Sequence, residues 1–284
     1  MKAEAMKSKA TIREEFEREG FTILRGFFAP PLVLGARQAM QTLVEREAQK
    51  LLAAGKITDP QEGEPLETRL AGLYRDFPLE APALLRRELH LPGLYPLFFH
   101  PGLLDIAQIF LGGEIRLYPN YSARPKLPEH APTRVLWHQD GGYTAQGAGA
   151  ETAALRMINV WTPLVPATVE NGCMQFLPGT HRLGLAPHRM REHYLEIEEA
   201  HIAPRRAQAV AIELEPGDVV LFHNLLYHQG LPNRSCIVRW SLDWRYQDAA
   251  QPTLRKEAGH LARSRSQPQM AVSRAEEWAE RRFG

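Results

Sequence analysis

Cysteine is scarce in this chain: Cys173 and Cys236 are two residues among 284. They could form one bridge at most, which excludes a disulfide-stapled secreted scaffold. Nowhere does an apolar run approach the roughly 18 residues of a membrane span. The first twenty residues lack the apolar centre of a signal peptide, and the last four match no lipidation or retention signal. Charge of one sign is missing too, since 34 basic and 33 acidic residues leave a net +1. That balance argues against an electrostatic grip on nucleic acid or on an anionic membrane. A basic channel of the kind a coenzyme A ester would need is not visible. Internal repeats and low-complexity blocks are absent. The expectation is a soluble, cytoplasmic protein with a small-molecule substrate and with no nucleic-acid or membrane partner. Oligomeric state is left open.

What is present suffices for a large core, with 44% hydrophobic residues over this length. We read one domain over 1–284: a helical part at 1–113, a β-barrel core at 114–248 and a tail at 249–284. Residues 11–19 are helix-compatible, Gly20 interrupts them, and 21–24 form a strand. Helices are expected over 32–52, after Pro30 and Pro31, and over 103–110, before Gly112 and Gly113. Between them, 55–65 reads as a loop. From 114 onward, short apolar runs alternate with turn signals at 115–118, 133–137, 156–161, 174–177, 210–214, 219–222 and 237–244. Their spacing is mostly too short for intervening helices, which favours an antiparallel double-sheet barrel. The fold class is therefore mainly β with N-terminal helices, a jelly-roll barrel.

His138 and Asp140 stand two residues apart, so on a strand they share a face and can converge on one metal ion. Chance alone supplies roughly 0.3 such pairs in this composition, so the pair needs a third ligand. His223 and His228 both qualify, and spacing alone does not choose between them. Two histidines and a carboxylate form the facial triad of non-haem Fe(II) oxygenases, although the same set suits zinc. Arg239 lies in an apolar strand, where an unpaired charge is costly. Its guanidinium would suit the carboxylate of a small diacid, the competing explanation being an internal ion pair with Asp218 or Asp243.

Three segments, 137–143, 171–181 and 228–239, together resemble the phytanoyl-CoA dioxygenase family. Its members are Fe(II)- and 2-oxoglutarate-dependent oxygenases on a double-stranded β-helix, a cupin-like barrel. The similarity runs from Gly20 to about Gln247. In that family eleven residues separate the distal histidine from the co-substrate arginine, which selects His228 with Arg239 over His223. The resemblance implies that His138, Asp140 and His228 hold iron, and that Arg239 binds the distal carboxylate of 2-oxoglutarate with Ser241 as a second group. It also implies that Trp161 packs beside the co-substrate and that Asn120 contacts it from the other side. Many members carry a serine two residues after the distal histidine; here that position is Gly230, so one contact is missing or supplied elsewhere. Halogenating relatives replace the carboxylate at position 140, so its presence favours oxygen transfer. The implied reaction is hydroxylation of an unactivated C–H bond, consuming dioxygen and 2-oxoglutarate and releasing succinate and CO2. A cupin-like metalloenzyme that needs no oxo acid, and a non-catalytic binding protein, are the alternatives.

Other features carry weaker expectations. His181 is read as a structural hydrogen-bonding residue and Cys173 as a small core residue. The stretch 182–206 is read as a partly helical, solvated insertion, the sharper alternative being a cap over the iron site. Four glycines over 141–150 suggest a mobile lid gated by substrate. The tail would close over the barrel or meet a second subunit. Phe98, Phe99, Tyr118, Tyr143 and Trp161 would suit a medium-sized, partly apolar substrate.

Overall fold

The computed structural model describes residues 7–144, 153–191 and 194–283. Helix α1 (Lys9–Glu19) opens at Ser8, whose hydroxyl accepts the Thr11 N–H at 3.1 Å, and closes at Gly20 with φ +84°. That positive φ admits glycine readily, and it turns the chain straight into β1 (Phe21–Leu24). Two prolines in the first turn begin α2 (Pro30–Ala53), which packs on α3 (Leu66–Leu73). Short α4 (Tyr95–Phe98) and α5 (Pro101–Leu111) complete the first helical layer.

The strands follow: β2 (Glu114–Leu117), β3 (Ser122–Lys126), β4 (Val135–His138), β5 (Met157–Pro163) and β6 (Met174–Phe176). Next come β7 (His188–Arg191), β8 (Tyr194–Ile197), β9 (Val210–Ile212), β10 (Val219–His223), β11 (His228–Gly230), β12 (Arg239–Asp248) and β13 (His260–Ser264). Between them lie α6 (Asp140–Thr144) and α7 (Glu199–Ile202), and α8 (Ala275–Arg281) ends the series. The major sheet has the order β1-β10-β5-β12-β2-β13, with β3 also on β12, and the minor sheet has the order β4-β11-β6-β9. All of these pairings are antiparallel, as the turn spacing predicts.

Strand β12 organises the layers. Its even positions, Trp240, Leu242, Trp244 and Tyr246, are fully buried against the helices. Its odd positions, Arg239, Ser241, Asp243 and Arg245, therefore face the space between the two sheets. A second apolar cluster fills one end of that space, built from Trp161, Met174, Phe176, Ile212, Val220 and Phe222. The other end is polar.

Several expectations change here. The stretch 182–206 is partly helical as read, with α7 running on into a 3-10 turn over Ala203–Gln208, and it also holds the hairpin of β7 and β8, which the sequence did not suggest. The tail folds back on its own chain: β13 pairs with β2, and Trp278 of α8 is buried among Phe98, Phe99 and Tyr121. Phe98 and Phe99 thus belong to the helical core and cannot contact a substrate in the barrel. Gly141 and Gly142 form one buried helical turn, whereas positions 145–150 of the expected lid lie outside the described residues. A proline at 142 would lose the N–H bond to Gln139 and collide with His188, so it would report on folding rather than on gating.

Candidate active site

His138 ends β4 and His228 begins β11, and the two are direct partners across the antiparallel pair. Their ring centroids lie 4.0 Å apart. Asp140, on the turn that follows β4, brings Oδ1 to 3.8 Å from His138 Nε2. One ligand atom from each of the three falls within 4.8 Å of the others, and all three residues are buried. His138 Nδ1 donates to the Leu136 carbonyl at 2.7 Å, and His228 Nδ1 donates to that of Leu226 at 2.8 Å. Both Nε2 lone pairs are thereby left for a metal, the arrangement that fixes a ligand's tautomer. Burial holds both imidazoles below their ordinary pKa, and His228 lowers His138 further. Burial pushes Asp140 upward, but Arg245 and the two histidines outweigh it and hold the carboxyl well below the usual range. Neutral imidazoles and an ionised carboxylate are the protonation states a divalent ion requires. His223 is not a ligand; its Nδ1 accepts the Leu225 N–H, and its ring lies beside Phe16 and His181.

The carboxylate ligand has a partner that sequence reasoning missed. Arg245 Nη2 donates to Asp140 at 2.6 Å while Nη1 donates to the Asn120 carbonyl at 3.0 Å. Gln139, between the two ligands, is also buried. Its side chain bonds the backbone at Gly184, Leu225 and Ala186, tying β4 to the insertion and to the chain before β11.

Beside the triad lies an inner cavity, lined by Trp161, Met174, Phe222, Gly230, Arg239 and Arg245 among others. Arg239 forms no ion pair with either carboxylate proposed for it. Asp218 is taken by Arg25 at 2.7 Å, and Asp243 by Arg124 at 2.7 Å. Arg239 instead donates to Ser241 Oγ and to the Gly172 carbonyl at 3.2 Å, and stacks 5.4 Å from the Trp161 ring centroid. Its Nε has no partner among the described residues, and burial, reinforced by Arg124, pushes the guanidinium down to about 10.

Lys126 is the second residue that the sequence reading passed over. It pairs directly with Arg239 across β3 and β12, is buried, and its Nζ has no partner among the described residues. Burial, then Arg239 and Arg124, depresses it well below an ordinary lysine. A Cβ added at Gly230 would lie 3.0 Å from that Nζ. The ammonium therefore stands where a side chain at 230 would reach. Two buried cations that pair with no carboxylate among the described residues fit the distal carboxylate of a diacid.

The remaining expected residues divide. Ser241 touches Arg239, and Trp161 lines the inner cavity. Asn120 lines a second, outer cavity, and its Oδ1 has no partner among the described residues. His181 bonds the Glu17 carbonyl and Cys173 is buried in the second core, both as read.

The family profile described as phytanoyl-CoA dioxygenase (PhyH) matches residues 16–240. A 1-deoxypentalenic acid 11-beta-hydroxylase of Streptomyces arenae is 28% identical over 249 residues, covering 83% of this chain and 80% of its own. A probable phytanoyl-CoA dioxygenase of Caenorhabditis elegans is 22% identical, covering 89% of this chain and 83% of its own. Among solved structures, the non-heme alpha ketoglutarate dependent carbocyclase SnoK from nogalamycin biosynthesis superposes with a TM-score of 0.59 at 21% identity, covering 95% of this chain and 92% of that one. EctD from S. alaskensis, solved with 2-oxoglutarate and 5-hydroxyectoine, superposes with a TM-score of 0.58 at 18% identity, covering 97% and 89%. At these identities the structural matches establish the fold.

Proposed function

The chain belongs to the phytanoyl-CoA dioxygenase family and is an iron- and 2-oxoglutarate-dependent dioxygenase, and we propose that its reaction is hydroxylation of an unactivated C–H bond in a small organic molecule. The observation that carries the co-substrate assignment is the buried pair of Arg239 and Lys126 beside the triad, which meets no carboxylate among the described residues. An oxo-acid-independent metalloenzyme would have no use for two unneutralised cations there.

In this reading His138, Asp140 and His228 would hold the metal, the donor set of a non-haem Fe(II) oxygenase. With iron, 2-oxoglutarate and dioxygen bound, the site supplies an oxidant strong enough for an aliphatic C–H bond and releases succinate and CO2. The protein's own work is placement. Arg239 and Lys126 anchor the distal carboxylate, Ser241 and the Gly172 carbonyl hold the Arg239 fork, and Trp161 walls the cavity. Arg245 keeps Asp140 ionised and aimed at the metal. The second apolar cluster shields the inner end of the cavity from water. No single helix among the described residues is long and apolar enough to cross a membrane. Together with the charge balance, this supports a cytoplasmic enzyme working without nucleic acid or membrane.

The test is succinate formation with Fe(II), 2-oxoglutarate and dioxygen over a panel of small organic substrates. Wild type should give a substrate-stimulated rate that Asp140→Ala abolishes; succinate formation that survives in Asp140→Ala would contradict the assignment.

A further inference from the structure

The outer cavity, about 400 Å³, opens on the other side of the triad and shares Arg124, Val135, His138, Asp140 and Arg245 with the inner one. Four arginines line it, Arg86, Arg124, Arg245 and Arg255, against one carboxylate, Asp140. The sequence shows no basic channel because these residues come from four separate segments that only the fold brings together. Two of the charges are already matched, Arg124 by Asp243 and Arg245 by Asp140.

The other two are not. Among the described residues the Arg86 side chain has no hydrogen-bond partner, and its Nε is buried. Burial and then the field of Arg124 push it down to about 10, the mark of a cation held among cations. Arg255 donates Nε to the Tyr118 hydroxyl at 3.1 Å and lies 5.6 Å from that ring's centroid, and no described carboxylate pairs with it. Facing them are apolar and aromatic side chains, Leu84, Val135, Met190, Leu195, Tyr143 and Tyr194. Leu84 and Met190 are among the exposed large hydrophobic residues of the molecule, at 36% and 60%.

We propose that the outer cavity binds the substrate as an organic carboxylate, its head group held by Arg86 and Arg255 and its apolar body lying against Leu84, Met190 and Leu195 beside the metal ligands. Guanidinium forks match a carboxylate, and the site's size suits a medium-sized molecule. The inference deepens the oxygenase reading by naming a substrate class, and it rests on that reading only for what happens after binding.

The test separates the two. Octanoate, adamantane-1-carboxylate and 1-naphthoate, each paired with its neutral amide, are titrated calorimetrically into metal-free wild type, Arg86→Gln, Arg255→Gln and Arg239→Ala. Independently, 2-oxoglutarate is titrated into the Fe(II) form of each protein without oxygen. At least one carboxylate should bind wild type about tenfold more tightly than its amide. Arg86→Gln and Arg255→Gln should each remove that preference and leave 2-oxoglutarate binding unchanged. Arg239→Ala should weaken 2-oxoglutarate and leave the carboxylate preference intact, and Arg86→Lys should restore part of it. If no carboxylate outbinds its amide, or if the preference disappears with Arg239→Ala, the proposal is wrong. Loss of 2-oxoglutarate binding in Arg86→Gln or Arg255→Gln would also overturn it, by assigning these arginines to the co-substrate. If wild type forms no 2-oxoglutarate complex, the oxygenase reading fails, while the carboxylate titration still decides this one.

Discussion

Arg245 and Asp140, 105 residues apart in sequence, meet at 2.6 Å, and both are buried. The arginine rises from the same face of β12 as Arg239, so one strand reaches both the metal carboxylate and the inner cavity. The pair makes the ligand's charge state a property of the fold.

Removing that support should weaken the metal site before it touches anything else. Arg245→Ala is expected to lower Fe(II) affinity about 10- to 100-fold, the usual cost of losing a ligand's supporting hydrogen bond. Competition with a colorimetric chelator measures it. Unchanged affinity would mean that Asp140 needs no orienting partner.

Lys126 should act on 2-oxoglutarate and leave iron alone. Lys126→Met is expected to raise the 2-oxoglutarate dissociation constant about tenfold with metal affinity preserved. Adding Gly230→Ser to Lys126→Met should recover part of the loss, because the hydroxyl then occupies the vacated space. In wild type the same serine would crowd Nζ, whose distance from an added Cβ is 3.0 Å. The two substitutions should therefore combine non-additively, and simple additivity would count against a shared site.

Gly172 couples backbone shape to the co-substrate pocket. Its φ is +86°, a Cβ would meet the Leu231 carbonyl at 2.5 Å, and its own carbonyl accepts from Arg239. Gly172→Ala should cost about 1–3 kcal/mol of stability and weaken 2-oxoglutarate binding, read from urea unfolding and from titration. A variant that is stable and binds normally would contradict this role.

Acid sensitivity should trace partly to His223. Burial and then His181 push this imidazole from its ordinary 6.5 down to about 4. Above pH 6.5 it is neutral in both folded and unfolded chains, so its stability contribution is complete there. As pH falls from 6.5 towards 4 the unfolded chain takes up a proton that the folded one refuses, and stability declines. His223→Asn can keep an acceptor for the Leu225 N–H, and should flatten that part of the metal-free protein's stability profile, measured by urea midpoints across pH. An unchanged slope would place the loss in other groups.

Local chemistry was readable from the residues; what depended on distant segments was not. His138 and Asp140 are two residues apart, which was enough to pair them; the expected single strand ends at His138, and Asp140 reaches the same point from the first residue of α6. Asn171 and Gly172 marked their turn, and Pro30 with Pro31 marked the start of α2 within two residues. Arg245 was in plain view: polar residues at 239, 241, 243 and 245 alternate with Trp240, Leu242, Trp244 and Tyr246, and that alternation predicts one inward polar face. Lys126 was hidden by Pro125, which argues against a strand because it lacks an N–H. Here β3 sits off the main strand path, where the missing donor is tolerated. Arg86 and Arg255 come from loops that precede β2 and follow β12, 169 residues apart, and no pattern within either loop points to a shared cavity.

The account's central claim is that the triad and the Arg239–Lys126 pair together hold iron and 2-oxoglutarate. The most direct measurement is anaerobic addition of Fe(II) and 2-oxoglutarate to metal-free protein, following the weak visible charge-transfer absorption of the chelate. Wild type should develop the band, His228→Ala should not, and Arg239→Ala should need far more 2-oxoglutarate to reach it. Stoichiometric iron binding by wild type with no band at saturating 2-oxoglutarate would contradict the claim.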